Sequence, residues 1–205
     1  MTDAAAFALP TLHGCSRSSA SWRVRIALAL KGLMARQVSH HLRRGEQRAP
    51  GYLAPNPQGF VPSLELPDGT VLTQSLAIVE WLDETVPEPP LLPSNPLLRA
   101  RVRAFALVLA AATHPLQNLA VLLRLRRHGW EKEDVEAWAA DANRGGPQAC
   151  EALLADICLV PQLGNARRFG VDVTSHPRLL DREAACIALP TFEGAVPARQ
   201  PDAEK

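Results

Sequence analysis

The sequence predicts an α/β domain followed by an all-helical domain. Three observations carry that prediction. The first 85 residues alternate short apolar runs with helix-periodic stretches, in the order β-α-β-loop-β-β-α. Val86–Pro96 holds prolines 87, 89, 90, 93 and 96, a density that neither helix nor sheet tolerates, so it reads as a linker. Beyond it the chain is rich in Ala, Leu and Arg at helical spacing. The domains are therefore bounded at 6–86 and 97–205.

Phe7–Leu12 is a short apolar run ahead of His13-Gly14 and predicts a buried strand. From Ser16 to Ser21 the chain is mostly small and hydroxylated. From Trp22 it turns apolar with helical period through Ile26, Ala27 and Leu30. Lys31-Gly32 supplies a basic last turn and a stop glycine. Gln37–Leu42 predicts a second strand, and Pro55 and Pro57 break the stretch Tyr52–Gln58 into loop. Val61–Leu66 and Thr70–Leu72 flank Pro67-Asp68-Gly69, a hairpin signal. Gln74-Ser75 opens a helix with apolar Leu76, Ile78, Val79 and Leu82. In the second domain, helices are expected over Leu98–Leu125 with a break near His114-Pro115, over Lys132–Asp141, over Ala149–Phe169 with an interruption at Pro161, and over Leu179–Leu189.

A chain of 205 residues can bury a sizeable core in one or two domains. Its 22 basic and 21 acidic residues balance, which argues against a general binder of nucleic acid or membrane surface. No apolar run reaches the roughly 18 residues that span a bilayer. Met1–Pro10 lacks the charged n-region and apolar core of a signal peptide. Cys15, Cys150, Cys158 and Cys186 are widely spaced, with no pairing that suits a metal. A cytoplasmic protein with reduced thiols and no metal is expected.

Three segments of the first domain carry candidate chemistry. The serine-lined helix start at Ser18 can cap backbone N–H groups, and the same amides and dipole attract an anion such as a thiolate or carboxylate. A cap with no ligand is the plain structural alternative. At Val61-Pro62 the proline removes a backbone donor just before a strand, and the Val61 main chain is left to pair with an extended peptide. Ser75 is expected as the N-cap of the next helix, offering a second carboxylate site. An open strand edge between two helix N-termini suits a small peptide with carboxylates and a thiol.

These residues resemble the glutathione transferase family, and within it the zeta class. The resemblance rests on the run from Arg17-Ser18-Ser19-Ala20-Ser21-Trp22-Arg23 through Leu28, and on Val61-Pro62 and Gln74-Ser75-Leu76-Ala77-Ile78. In the second domain it rests on Pro115-Leu116-Gln117-Asn118, Asn165-Ala166-Arg167-Arg168-Phe169 and Arg199-Gln200-Pro201-Asp202. It implies a thioredoxin-like N-terminal domain, an all-α C-terminal domain, a homodimer and glutathione as cofactor. By position it implies Ser18 as donor to the glutathione sulfur, with Ser19 and Ala20 lining the same turn. It also implies Gln47 at the glycyl end, Val61 and Pro62 at the cysteinyl unit, and Gln74 and Ser75 at the γ-glutamyl carboxylate. His114, Gln117 and Asn118 would line the side facing the helical domain. Arg17 and Arg168 would bind the carboxylates of a dicarboxylic diketo acid, since a guanidinium fork matches a carboxylate.

The implied reaction is glutathione-dependent cis–trans isomerisation of maleylacetoacetate to fumarylacetoacetate in aromatic amino-acid catabolism. Maleylpyruvate isomerisation, general glutathione transfer, and glutathione binding with weakened catalysis are the alternatives. Leu119, which adds no cation beside Gln117-Asn118, favours maleylacetoacetate. A thiol–disulfide oxidoreductase is a further reading, because Cys15-Ser16-Arg17-Ser18 is formally CxxS. The chain departs from the class pattern in two places. Ala20 stands where many members carry cysteine, and about twenty residues are missing near 151–156, where Asp156 is left as a capping-box acid without its hydroxyl partner. His40-His41 are expected to face solvent, and Trp22, Trp81, Trp130 and Trp138 to lie in the core.

Overall fold

The computed structural model describes residues 9–144 and 153–203. Along the chain lie β1 (Thr11–Gly14), α1 (Ser19–Leu30), β2 (Arg36–Ser39), α2 (Pro50–Leu53), β3 (Ser63–Glu65), β4 (Val71–Thr73) and α3 (Ser75–Thr85). There follow α4 (Pro96–Leu107), α5 (Leu119–Arg127), α6 (Lys132–Arg144), α7 (Leu153–Arg168), α8 (Pro177–Ile187) and α9 (Pro190–Ala195). Two compact units result. One is Met1–Leu91 with Leu189–Lys205, the other Leu92–Ala188, so the last stretch of chain returns to the first unit.

In the first unit the strand order is β2-β1-β3-β4. β1 runs parallel to β2 and antiparallel to β3, and β3 is antiparallel to β4. This is the predicted β-α-β-loop-β-β-α order in a thioredoxin-like sheet. β1 starts later than expected and runs through His13-Gly14, while β2 ends at Ser39. Pro50 sits in the first turn of α2, where its fixed φ and missing N–H cost nothing, so the stretch read as loop begins with a helical turn. α1 and α3 pack against each other and, with the sheet, bury Leu12, Val24, Ile26, Leu64, Ile78 and Leu82. Each such side chain contributes about 1.5–3 kcal/mol on burial. The basic end of α1 goes inward as well. Lys31 Nζ donates to Asp83 Oδ1 (2.7 Å) and to the Pro89 carbonyl (2.6 Å), and Asp83 also accepts from the Leu91 N–H (2.8 Å). The proline-rich segment after α3 is thereby fastened to the unit.

In the second unit, α4 and α7 pack together and bury Val102, Phe105, Leu154, Ile157 and Val160. Pro161 does not interrupt α7, contrary to expectation. A proline inside a helix forfeits one backbone bond. Leu154–Leu163 are nevertheless buried on every side, and that packing holds the helix through the proline. Leu153-Leu154 and Ala155-Asp156-Ile157 form one continuous helix start, and Asp156 finds its partner in Arg182 of α8, which donates to both carboxylate oxygens (2.7 and 2.6 Å). The rest of the expected shortening, at Glu151-Ala152, lies outside the described residues, as does Cys150.

Pro96–Arg127 is 32 residues long and, by length and composition, apolar enough to cross a membrane, which corrects the expectation that no such stretch exists. His114, Pro115, Gln117 and Asn118 interrupt it without lowering its average enough. Structurally it divides into α4, a π-turn over Val108–Thr113, a 3₁₀ turn over His114–Gln117, and α5. Two smaller expectations also change. Trp130 is 40% exposed and meets Trp138 edge-on, with ring centroids 6.0 Å apart. His40 is half-buried, against Tyr52 and within 3.0 Å of His13, because its backbone N–H bonds the Gly14 carbonyl just past the end of β2 and keeps it beside β1.

Candidate functional site

Strand register assembles the site. His13 pairs with Ser63 and Ser63 with Thr73, so the C-terminal end of β1, the start of β3 and the end of β4 share one edge of the sheet. The turn into α1, the Val61-Pro62 segment and the turn into α3 therefore gather there. Gly14 pairs with Ser39, which brings the exit of β2 to the same edge.

At the first of these turns Ser18 is the N-cap of α1. Its Oγ accepts from the Ser21 N–H at 3.1 Å, which uses a lone pair and leaves the hydroxyl hydrogen free to donate. Ser18 N–H closes the turn onto the Cys15 carbonyl (3.1 Å). Ser18, Ser19 and Ala20 are buried, and Arg17 is half-buried beside them. Cys15 is buried, three residues ahead of the cap rather than at the helix end where a thiol would be activated.

The Val61-Pro62 bond is cis, and Val61 lies half-exposed at the threshold of β3. Before it, Asn56 Nδ2 donates to Tyr52 Oη (3.0 Å) and to the Phe60 carbonyl (2.8 Å), and Tyr52 Oη bonds the same carbonyl (2.7 Å) and Ser63 Oγ (3.0 Å). Burial raises the Tyr52 phenol above its ordinary pKa, so it stays protonated as a donor. Gly59, at φ +60°, packs so closely on the Gln47 carbonyl that an added Cβ would lie 2.8 Å from it. Gln47 is thus held beside this loop. Its Oε1 is buried with no hydrogen-bond partner, the kind of atom that a ligand satisfies.

At the third turn the expected cap is corrected. The N-cap of α3 is Gln74, and Ser75 is the first helical residue. Gln74 is the sole non-glycine residue with positive φ among the described residues (φ 68°), a conformation that costs of order 1–3 kcal/mol and recurs at ligand clamps. Its side chain makes no cap bond, so the first amides of α3 are open to an anion. Ser75 Oγ lies 3.3 Å from Arg23 Nη1, a guanidinium that is 1% exposed and runs between α1 and the start of α3. In the sequence Arg23 is one charge between the apolar positions of α1. Its signal was there, a charged residue one step from Trp22 on a face otherwise buried.

His114, Gln117, Asn118 and Arg168 belong to the second unit. Asn118 caps α5 through its Oδ1 (3.0 Å to Ala120 N). Gln117 is buried and accepts from Asn165 Nδ2 (2.6 Å), while its own Nε2 has no partner. Arg168 is exposed in the last turn of α7, and His114 is half-buried. Among the described residues no group of three His, Cys, Asp or Glu side chains could hold a metal.

A parallel-antiparallel sheet of this order with a serine-capped α1 and a cis-proline before β3 defines a glutathione transferase domain, and residues 17–85 match the family model for "Glutathione S-transferase, N-terminal domain". Relatives match over the rest as well. The chain is 45% identical to the maleylacetoacetate isomerase of Pseudomonas aeruginosa over 206 residues, covering 93% of this chain and 97% of that one. A bacterial maleylpyruvate isomerase described as a zeta-class glutathione S-transferase in holo form is 37% identical, with a TM-score of 0.89 over 95% of this chain and 100% of that chain. A maleylacetoacetate isomerase from Methylobacterium extorquens AM1, crystallised with malonate and GSH, gives the same identity, coverage and TM-score. The chain belongs to the zeta class of the glutathione S-transferase family, among the maleylacetoacetate and maleylpyruvate isomerases.

Proposed function

We propose that the protein is a glutathione-dependent cis–trans isomerase that converts maleylacetoacetate to fumarylacetoacetate in aromatic amino-acid catabolism, acting as a cytoplasmic homodimer. The observation that carries this reading is the Ser18 cap. Its hydroxyl oxygen is occupied by the Ser21 amide, its hydrogen is available, and it stands at a helix N-terminus that favours negative charge.

Glutathione fits this edge of the sheet. Ser18, with Ser19 and Ala20 alongside, would receive the sulfur. Val61, ahead of Pro62, would pair its main chain with the cysteinyl unit. Gln74 and Ser75 would take the γ-glutamyl carboxylate at the open amides of α3, and the unpartnered Gln47 Oε1 would accept from the amide N–H of the glycyl unit. Bound there, glutathione supplies a thiolate whose reversible addition to the activated double bond permits rotation about it. The Ser18 hydroxyl and the α1 dipole favour thiolate over thiol. Arg17 is positioned next to that donor to pair a substrate carboxylate. Arg168 is the second candidate cation, and His114, Gln117 and Asn118 are the candidate contacts contributed by the helical unit.

The shortening near 151–156 is proposed as a real deletion. The 206 aligned positions shared with the Pseudomonas relative take in 93% of a 205-residue chain, so about fifteen of them are gaps in it. Maleylpyruvate is the second reading, since solved isomerases of both kinds superpose equally well. The test follows each maleyl substrate with and without glutathione. Turnover of maleylacetoacetate that requires glutathione supports the first reading, preference for maleylpyruvate selects the second, and no turnover of either refutes both.

A further inference from the structure

The turn that presents Ser18 is fastened from the far end of the chain. Asp202 Oδ2 accepts the Ser16 N–H at 2.8 Å and also accepts from the Ser39 hydroxyl, and the Asp202 carbonyl accepts from Ser16 Oγ at 3.1 Å. From the other side, buried Arg25 donates to the carbonyls of Cys15 (3.4 Å), Ser16 (3.3 Å) and Ala195 (3.1 Å). The Cys15–Ser16 peptide is thus held at its N–H by the carboxylate and at its carbonyl by the guanidinium, which also holds the Ser16 carbonyl. The Cys15 carbonyl is also the one on which Ser18 N–H closes. α9, which supplies the Ala195 carbonyl, packs directly on α1.

We propose that Asp202 is a positioning residue for thiol activation: from 186 positions downstream of Ser16, and together with Arg25, it fixes the Cys15–Ser18 turn so that the Ser18 hydroxyl is aimed at the glutathione sulfur. The inference rests on the reading of this edge as the glutathione site. Three features support it. Among the described residues the hydrogen bonds of the Asp202 carboxylate run to Ser16 and Ser39, not to Ser18. Burial acts to raise its carboxyl pKa, and the hydrogen bonds from Ser39 and Ser16 outweigh it, holding the carboxyl below the usual range and hence ionised at neutral pH. Burial lowers the Arg25 guanidinium to about 10, against the opposing charge of Asp202, so Arg25 too remains charged there. Two charged groups of opposite sign hold one turn, and charge-assisted bonds are the stronger kind.

The experiment measures the pKa of enzyme-bound glutathione by ultraviolet thiolate absorbance in wild type, Asp202→Ala, Asp202→Asn and Ser39→Ala, alongside melting temperature. Asp202→Ala is expected to raise the bound thiol pKa by about one unit, a roughly tenfold loss of kcat/KM below that pKa that closes at alkaline pH. Asp202→Asn, which keeps an acceptor for the Ser16 N–H, is expected to rescue most of that shift. A merely structural tether would lower the melting temperature and leave the thiol titration where it was. An unchanged thiol pKa in folded Asp202→Ala overturns the inference and leaves the glutathione site standing. Should that variant not fold, Ser39→Ala, which removes a donor that holds the carboxylate, decides it: a bound thiol pKa above that of wild type supports the inference, and an unchanged one overturns it. Wild type with no bound-thiolate signal overturns the site reading itself, and the inference with it.

Discussion

Replacing Ser18 separates the cap bond its hydroxyl accepts from the thiolate bond proposed for it. In Ser18→Ala the cap bond to the Ser21 amide (3.1 Å) is lost, which costs about 1 kcal/mol, within a range of about 0.5–2. For a protein of this size that lowers the melting temperature by about 2–4 °C. The proposed donor to the thiolate is lost too. A hydrogen bond to a charged group is worth about 1.5–3 kcal/mol, so the bound thiol pKa should rise by about one to two units. Turnover at a pH below the wild-type thiol pKa should fall about 10- to 100-fold. Ser18→Gly distinguishes the two jobs, because glycine caps within a few tenths of a kcal/mol of serine. It should melt close to wild type and titrate like Ser18→Ala. Thiolate absorbance against pH, isomerisation rate and calorimetric melting make the comparison. A Ser18→Gly enzyme with wild-type thiolate titration and turnover would refute the assignment of the hydroxyl.

Other outcomes follow from the same geometry. Asp83→Ala leaves the fully buried Lys31 ammonium without its carboxylate and should destabilise by about 3–5 kcal/mol in urea unfolding, whereas Lys31→Met with Asp83→Leu should recover most of the loss. Cys15→Ser should keep glutathione-dependent turnover, and loss of activity would revive the thiol–disulfide reading. Burial pushes the Cys186 thiol up to about 11, so mass spectrometry should find it unalkylated in the folded protein at neutral pH and labelled once unfolded. Burial first, and the neighbouring His13 second, lower the His40 pKa in the folded state, and Glu46 opposes them. The unfolded chain therefore takes up the proton first as pH falls. The stability contributed by neutral His40 is present above about 6.5 and lost as pH drops below it. His40→Phe should flatten that acid limb in pH-dependent unfolding.

What was legible in the sequence was what depends on local rules. The serine-to-apolar switch at Ser21-Trp22, the stop at Lys31-Gly32 and the Asp68-Gly69 turn each fix an element through backbone chemistry alone. Given those elements, antiparallel register brings Ser18, Val61 and Gln74 to one edge. What was missed depends on partners distant in sequence. Ser75 resembles an N-cap, but positive φ at Gln74 starts α3 one residue earlier, and Arg23 approaches the serine hydroxyl from another helix. Pro161 signals a break, and only the packing around α7 overrides it. Asp156 looked orphaned because its partner, Arg182, arrives 26 residues later. Asp202 stood inside a recognised motif, but nothing local ties it to Ser16.

The return of residues 189–203 to the first unit has a consequence for biosynthesis. The ribosome delivers Ser16 186 residues ahead of Asp202, and the Ala195 carbonyl comes almost as late. Closing a loop of 186 residues is entropically only somewhat harder than closing a short one, but it must wait for the chain to exist. The nascent first unit therefore holds this turn through Arg25 alone until Asp202 has been made.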